Sequence, residues 1–176
     1  MTTGLGASAP IIDVSERLGR LVSRSRLLDP GEVDDLLDVL GPDGFAWLRA
    51  GVGFVTAGVA ARLPVEAGPD RFERAAGLVA GALRSIAVDG PSPIGETGPG
   101  AGPIAVGALP FDDRTPGSLV VPALVVVRRP DGRGWLTTIG PDGAPDQPDP
   151  ERMALRNGGY SARGVSRGTV RGTVNG

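Results

Sequence analysis

The chain has 176 residues, with 29 Gly and 17 Pro but no Cys, His or Lys, so all 18 basic residues are Arg. These absences exclude a Ser-His-Asp triad, a thiolate nucleophile and a Cys/His zinc site, and also a Schiff-base or P-loop lysine. Catalysis by this chain would have to use carboxylates, hydroxyls, Arg or the single phenol, Tyr160.

Charge is distributed unevenly along the chain. Residues 1–150 carry 13 Arg against 19 acids, whereas residues 151–176 carry five Arg against Glu151. A basic end of this kind either contacts an anion such as nucleic acid or is simply solvated. Only Tyr160 could stack on a base there, so we predict no nucleic-acid partner and a disordered, Gly/Arg-rich tail over 141–176.

The sequence also bears on localisation. No run of 18 apolar residues occurs, and residues 1–10 lack the basic and apolar regions of a secretory leader. We therefore expect a cytoplasmic protein with no membrane partner. Residues 1–19 are predicted to form an N-terminal arm, and residues 20–140 a single lobe.

The lobe begins with a predicted strand and a short predicted helix. Alternation in RLVSRSRLL, residues 20–28, favours a strand with one Arg-rich face. After the turn sequence Asp29-Pro30-Gly31, apolar spacing over 33–40 predicts a short amphipathic helix, ended by Gly41-Pro42. We interpret its acids as a solvated helix face and not as a metal cluster; they are Asp34, Asp35 and Asp38.

A hairpin is predicted next. The apolar runs 45–49 (FAWLR) and 54–65 (FVTAGVAARLPV) flank Gly51 and Gly53, which indicate a glycine turn. The pair Gly51-x-Gly53 lacks the third Gly and the following helix of a dinucleotide-binding loop, so we interpret it as structural.

The clearest predicted helix covers residues 70–86. Its apolar stripe recurs at three and four residues and comprises Phe72, Ala75, Ala76, Val79, Ala82, Leu83 and Ile86. Basic side chains outside the stripe are interpreted as solubilising; they are Arg71, Arg74 and Arg84.

The remainder of the lobe is predicted to be a loop and three strands. Residues 89–103 hold too many Gly and Pro for a regular element, and a strand-like pattern follows where a phosphate-binding loop needs a helix. Strands are predicted at 104–109, 119–127 and 134–139. Pro122 indicates an edge or a bulge, and Asp131-Gly132 a hairpin turn. The adjacent acids Asp112-Asp113 are interpreted as turn residues.

This order of elements predicts an α+β fold, with a mainly antiparallel sheet and two helices on one face. No catalytic, cofactor-binding or metal-binding residue is assigned, because the acids are scattered over turns and a helix face.

Several segments together resemble the N-terminal half of actinobacterial isochorismate synthases, in the chorismate-utilising enzyme superfamily. They are FAWLR with its Gly-rich hairpin, GPIAVGALPFD at 102–112, and SLVVPALVVVRR at 118–129 leading to WLTTIG at 135–140. Their order and spacing agree over residues 20 to 140. The resemblance implies the N-terminal lobe of that family's α/β sandwich.

The resemblance also implies an activity located elsewhere. The family converts chorismate to isochorismate with Mg²⁺, for siderophore, salicylate or menaquinone synthesis, and its Lys base, Glu acid and metal-binding Glu residues lie in a C-terminal half. This chain has no counterpart of that half and no Lys. We therefore expect a truncated, inactive portion that meets chorismate only if the missing half is supplied.

Two further hypotheses remain open. The chain could be a stand-alone binding or regulatory module that associates with a chorismate-binding partner chain. It could also be a nucleic-acid binder acting through the tail. In an isolated lobe we expect apolar sheet surface to be exposed, leading to self-association or marginal stability; the residues are Val120, Val121, Leu124 and Val126.

Overall fold

A computed structural model describes residues 21–41, 43–90 and 102–142. The predicted arm over 1–19, most of the Gly-rich loop over 89–103 and the tail after Asp142 lie outside these residues. Within the described ranges the elements are β1 (Leu21–Leu27), a 3₁₀ helix (Leu36–Val39), β2 (Ala46–Arg49), β3 (Val52–Ala57), β4 (Ala61–Val65), α1 (Arg71–Ser85), β5 (Ala87–Asp89), β6 (Val106–Ala108), β7 (Gly117–Val121), β8 (Leu124–Arg128) and β9 (Gly134–Pro141).

The strands form two sheets. A six-stranded sheet has the order β2-β3-β8-β9-β1-β5, and a three-stranded sheet has the order β4-β7-β6. Every pairing is antiparallel except that of β1 with β5. The predicted α+β class with mainly antiparallel pairing is confirmed, as are the strand over 20–28 and the long helix.

Two predicted strands each divide at a shared corner. Ala57 faces Leu124 in the first sheet and Ala61 faces Val121 in the second, so residues 58–60 stand opposite only Pro122 and Ala123. This is a β-bulge, which bends paired strands sharply enough to pass from one sheet to another. Pro122, which has no N–H to donate, stands at the bend. The edge or bulge predicted at Pro122 corresponds to the break between β7 and β8, although the extra residue lies on the opposite strand.

Alternate residues of β8 supply two separate cores. Val125 and Val127 pack with α1 and the three-stranded sheet, in a core completed by Leu21, Leu63, Ala82, Ile86, Val121, Trp135 and Ile139. Leu124 and Val126 face the opposite side, in a core completed by Leu36, Val39, Val55, Ala57 and Leu136. Because strand side chains alternate between faces, the six-stranded sheet is covered on both sides.

The prediction of two helices on one face is not confirmed. The segment predicted as a helix over 33–40 contains only the 3₁₀ helix, where the Asp35 side chain accepts a hydrogen bond of 2.9 Å from the Leu37 N–H. The 3₁₀ helix begins after Asp35 and ends at Leu40, whose backbone is extended with ψ 111°. It packs on the face opposite to α1, because Leu36 and Val39 belong to the second core.

The expectation of exposed apolar sheet surface is wrong for three of its four residues. Val121, Leu124 and Val126 are fully buried, and Val120 is half-buried. Val121 lies in the core that α1 shares with the second sheet, and Leu124 and Val126 lie in the core that the 3₁₀ helix covers.

Candidate functional site

The acidic residues considered as sites are placed where they serve local structure. Asp35 caps the 3₁₀ helix, while Asp34 and Asp38 are exposed. Asp112 accepts hydrogen bonds from the backbone and side chain of Arg114, and these bonds hold the pKa of Asp112 below its usual value. The interpretation of Asp112-Asp113 as turn residues therefore agrees with the contacts of Asp112.

A metal site needs several His, Cys, Asp or Glu side chains that converge on one point. Within residues 21–41, 43–90 and 102–142, no three His, Cys, Asp or Glu residues lie close enough together to hold a metal ion. Tyr160 and the five Arg residues of the tail lie outside the described residues.

A cavity of about 390 Å³ lies where the end of β1 meets the β8–β9 hairpin. Its walls include Leu27, Leu28, Val33 and Arg128, with the turn at Asp131-Gly132. The guanidinium of Arg128 donates to the backbone carbonyls of Val33 and Asp34, the second at 3.2 Å. These bonds occupy the guanidinium in joining β8 to the segment before the 3₁₀ helix.

An ion pair joins β1 to the turn that follows it, and the turn residues Asp29, Pro30 and Gly31 line the same cavity. Arg26 donates to both carboxylate oxygens of Glu32, with one distance of 2.8 Å from Nη1 to Oε2. The Asp29 N–H also donates to Glu32 at 3.0 Å, across a turn with Gly31 at φ 83°. The hydrogen bonds from Arg26 hold the pKa of Glu32 below its usual value. The ion pair thus fixes the turn against β1.

Arg71 departs from the sequence interpretation. It is buried, whereas Phe72, predicted to lie on the apolar stripe, is 62% exposed. The guanidinium lies 4.6 Å from the centroid of the Phe72 ring, and Nη2 donates to the Phe111 carbonyl at 3.0 Å. The interpretation of Arg71 as a solubilising residue is therefore wrong. Its Nε is buried with no hydrogen-bond partner among the described residues.

An exposed aromatic cluster is formed by Phe45, which immediately precedes β2, with Trp47 of β2 and Phe54 of β3, and sequence reasoning did not identify it as a surface feature. The Trp47 ring stands edge-on to Phe54, with centroids 6.1 Å apart, and Phe45 stacks on Phe54 at 6.4 Å. Trp47 is 72% exposed and Phe45 is 41% exposed. We call these three residues the aromatic edge, because β2 is the outermost strand at one end of the six-stranded sheet.

The alternation in FAWLR is the signal that could have identified this edge, since it places Phe45, Trp47 and Arg49 on one face. The position of β2 at the end of the sheet could not be predicted in this way, because it depends on strand pairings between residues distant in sequence.

No helix in the described part of the chain is both long and apolar enough to cross a bilayer. No family model, curated protein or solved structure matches the chain.

Proposed function

We propose that this chain is the non-catalytic N-terminal lobe of an isochorismate synthase, and that it is inactive without the chorismate-binding half. The resemblance in sequence motivates this proposal. We further propose that the chain is cytoplasmic and that its fold corresponds to the N-terminal part of the family's sandwich.

The supporting observation is where the resembling segments fall. FAWLR and its hairpin form β2 and β3, SLVVPALVVVRR forms most of β7 with β8, and WLTTIG falls within β9. These strands share the two cores described above, so the segments make up one folded unit. A resemblance confined to loops would give less reason to expect a related fold.

The chemistry supports an inactive lobe. Adding water to one ring carbon while expelling hydroxide from another requires a positioned base and acid. The family's base is a Lys, and the chain contains none. Since no described group of acids could hold a metal ion, we assign Mg²⁺ to the other half and derive no step through it.

The test combines an assay with complementation. The purified chain, with chorismate and Mg²⁺, should form no isochorismate above the buffer rate. Adding a separately produced C-terminal half of an isochorismate synthase should give a complex and restore turnover above that of the half alone. Turnover by the chain alone, or no association with the half, would contradict the proposal.

A matched pair of variants makes this test specific. Val126→Asp places a charge in the second core and should abolish complementation, whereas Arg84→Ser changes an exposed residue of α1 and should preserve it. Binding to an active, complete chorismate-using enzyme with a change in its rate would instead favour the regulatory-module hypothesis.

A further inference from the structure

The free edge of β2 has both the backbone groups and the side chains of an interface. β2 pairs with β3 on one side and is the terminal strand of the described sheet on the other. Such an edge presents N–H and C=O groups that can template another strand. Here the edge also carries the exposed rings of Phe45 and Trp47.

The backbone orientation of β2 follows from one hydrogen bond. The Phe45 carbonyl accepts from the Thr56 N–H at 2.8 Å, so the polar groups of Phe45 face β3. In an antiparallel strand these groups alternate in direction from residue to residue. Trp47 and Arg49 therefore also face β3, and the groups of Ala46 and Leu48 point away from the sheet.

We propose that a second copy of this chain pairs with β2 in antiparallel orientation, with Trp47 on the two-fold axis. In this register Ala46 lies opposite Leu48 of the second copy, and the outward N–H and C=O groups of both residues are satisfied. Trp47 lies opposite Trp47, in the non-hydrogen-bonded position where side chains approach most closely. The two six-stranded sheets then become one continuous sheet.

The neighbouring registers are less favourable for identifiable reasons. A shift toward the start of β2 would require the Gly44 N–H, which already donates to the Gly41 carbonyl at 2.8 Å. A shift the other way would require Ala50, which lies in the turn with φ 51° and cannot continue the strand. The proposed register uses Ala46 and Leu48 alone.

The side chains of the edge also favour a second copy. On the ring-bearing face, Phe45 of each copy lies opposite Arg49 of the other, so the cations meet aromatic rings and not each other. Trp47 would be covered by its own counterpart, and the same patch serves both copies, as a two-fold interface requires. These features do not depend on the proposed function.

The first experiment measures the oligomeric state of the full chain by analytical ultracentrifugation over a concentration series. We expect a reversible dimer, with the dissociation constant raised about 30-fold or more by Trp47→Ser, as for a central aromatic hot spot. Ala46→Pro removes an outward N–H without touching the β2–β3 bonds and should have a similar effect. The matched control is Phe111→Ser, which alters another fully exposed aromatic residue and should leave the dimer intact.

The second experiment tests the register and retains Trp47. Because the chain has no Cys, Phe45→Cys and Arg49→Cys proteins carry one thiol each. Under mild oxidation a mixture of the two should give disulfide-linked heterodimers, while neither alone should cross-link efficiently, because opposite residues are within disulfide reach only in the mixed pair. A concentration-independent monomer, equal cross-linking of each protein alone, or a dimer unaffected by both Trp47→Ser and Ala46→Pro would overturn the proposal.

Discussion

The side chain of Arg71 and the carbonyl of Phe111, separated by 40 residues in sequence, are joined by a hydrogen bond of 3.0 Å from Nη2. This bond ties the first residue of α1 to the segment between β6 and β7. Nη1 of the same side chain approaches the Gly68 carbonyl at 3.5 Å. One buried guanidinium therefore bridges the entry to the helix and a strand connection of the second sheet.

Replacing Arg71 by Met should lower the free energy of unfolding by about 1.5–3 kcal/mol, because the hydrogen bonds from a buried, charged donor are lost and the Phe111 carbonyl loses its partner. Urea unfolding followed by Trp fluorescence measures this change. The control Arg84→Met, at an exposed position of the same helix, should stay within about 0.5 kcal/mol of the parent. Equal effects at the two positions would show that the contact with Phe111 contributes nothing.

Periodicity placed α1 correctly in the chain and identified most of its buried side, since Ala75, Ala82 and Ile86 are buried. It failed in the first turn, where the predicted stripe begins with Phe72 but Arg71 is the buried residue. Arg71 is buried because a carbonyl from a distant segment meets its guanidinium. A hydrophobicity pattern records only local sequence, so it cannot anticipate a buried cation whose partner lies 40 residues away.

The corner between the sheets illustrates the same limit. Both long apolar runs, 54–65 and 119–127, were correctly predicted as extended, but each contributes to two sheets. Pro122 marks the break in one run and is recognisable in the sequence, whereas the break in the other run lies at Gly58, with φ 64°, within an otherwise continuous apolar segment. The exposure of the aromatic edge could not be predicted for the same reason. Alternation in the sequence predicts which face of the strand carries Trp47, but it does not predict that β2 lies at the end of the sheet.

Two serines on one face of β1 should respond oppositely to removal of the hydroxyl. Ser25 shares a hydrogen bond of 2.8 Å with the Thr137 hydroxyl, whereas the buried Ser23 hydroxyl has no partner among the described residues. Ser25→Ala should cost about 1 kcal/mol, and Ser23→Ala should be neutral or stabilising by up to about 1 kcal/mol. The midpoints of denaturant unfolding of the two variants test this prediction. A loss of stability in Ser23→Ala as large as that in Ser25→Ala would contradict it.

The β2–β3 hairpin provides a graded test of backbone geometry. Ala50 and Gly51 have φ values of 51° and 77°, as a type I′ turn requires, so Ala50 occupies a conformation that favours Gly or Asn. Ala50→Gly or Ala50→Asn should raise stability by about 0.5–1 kcal/mol, and Gly51→Ala should lower it by about 1 kcal/mol.

Gly53→Ala should be the most damaging hairpin variant. A Cβ at that residue would lie 2.0 Å from the Trp47 carbonyl oxygen, whereas one at Gly51 would meet nothing within 4 Å. Since the obstacle is backbone, β2 and β3 would have to separate locally, at a cost of about 3 kcal/mol or more. Thermal unfolding of the glycine variants ranks their stabilities. A Gly53→Ala protein as stable as the Gly51→Ala protein would contradict the close approach of Gly53 to the Trp47 carbonyl.

The Arg26–Glu32 ion pair predicts a specific pH dependence of stability. Hydrogen bonds from Arg26 are the main cause that lowers the pKa of Glu32 in the folded protein below its ordinary 4.5. Because the pKa of Glu32 is lower in the folded than in the unfolded protein, its ionisation stabilises the fold. This stabilisation is complete above the pKa of the unfolded state and is lost as the pH falls through the pKa of the folded state. Because the Arg26 side chain is 36% exposed, solvent screening limits the contribution to about 0.5–1 kcal/mol.

At pH 7 the Glu32→Gln protein should therefore have a free energy of unfolding about 0.5–1 kcal/mol lower than that of the parent. This difference in stability should shrink as the pH is lowered from about 4.5 toward 3, because Glu32 of the parent then becomes protonated. Chemical unfolding at a series of pH values measures both proteins. Asp38→Asn, which removes an exposed carboxylate from the 3₁₀ helix, is the control and should show a smaller dependence. A difference between Glu32→Gln and the parent that persists unchanged at pH 3 would mean that Glu32 stabilises the turn through packing, because ionisation would then make no contribution.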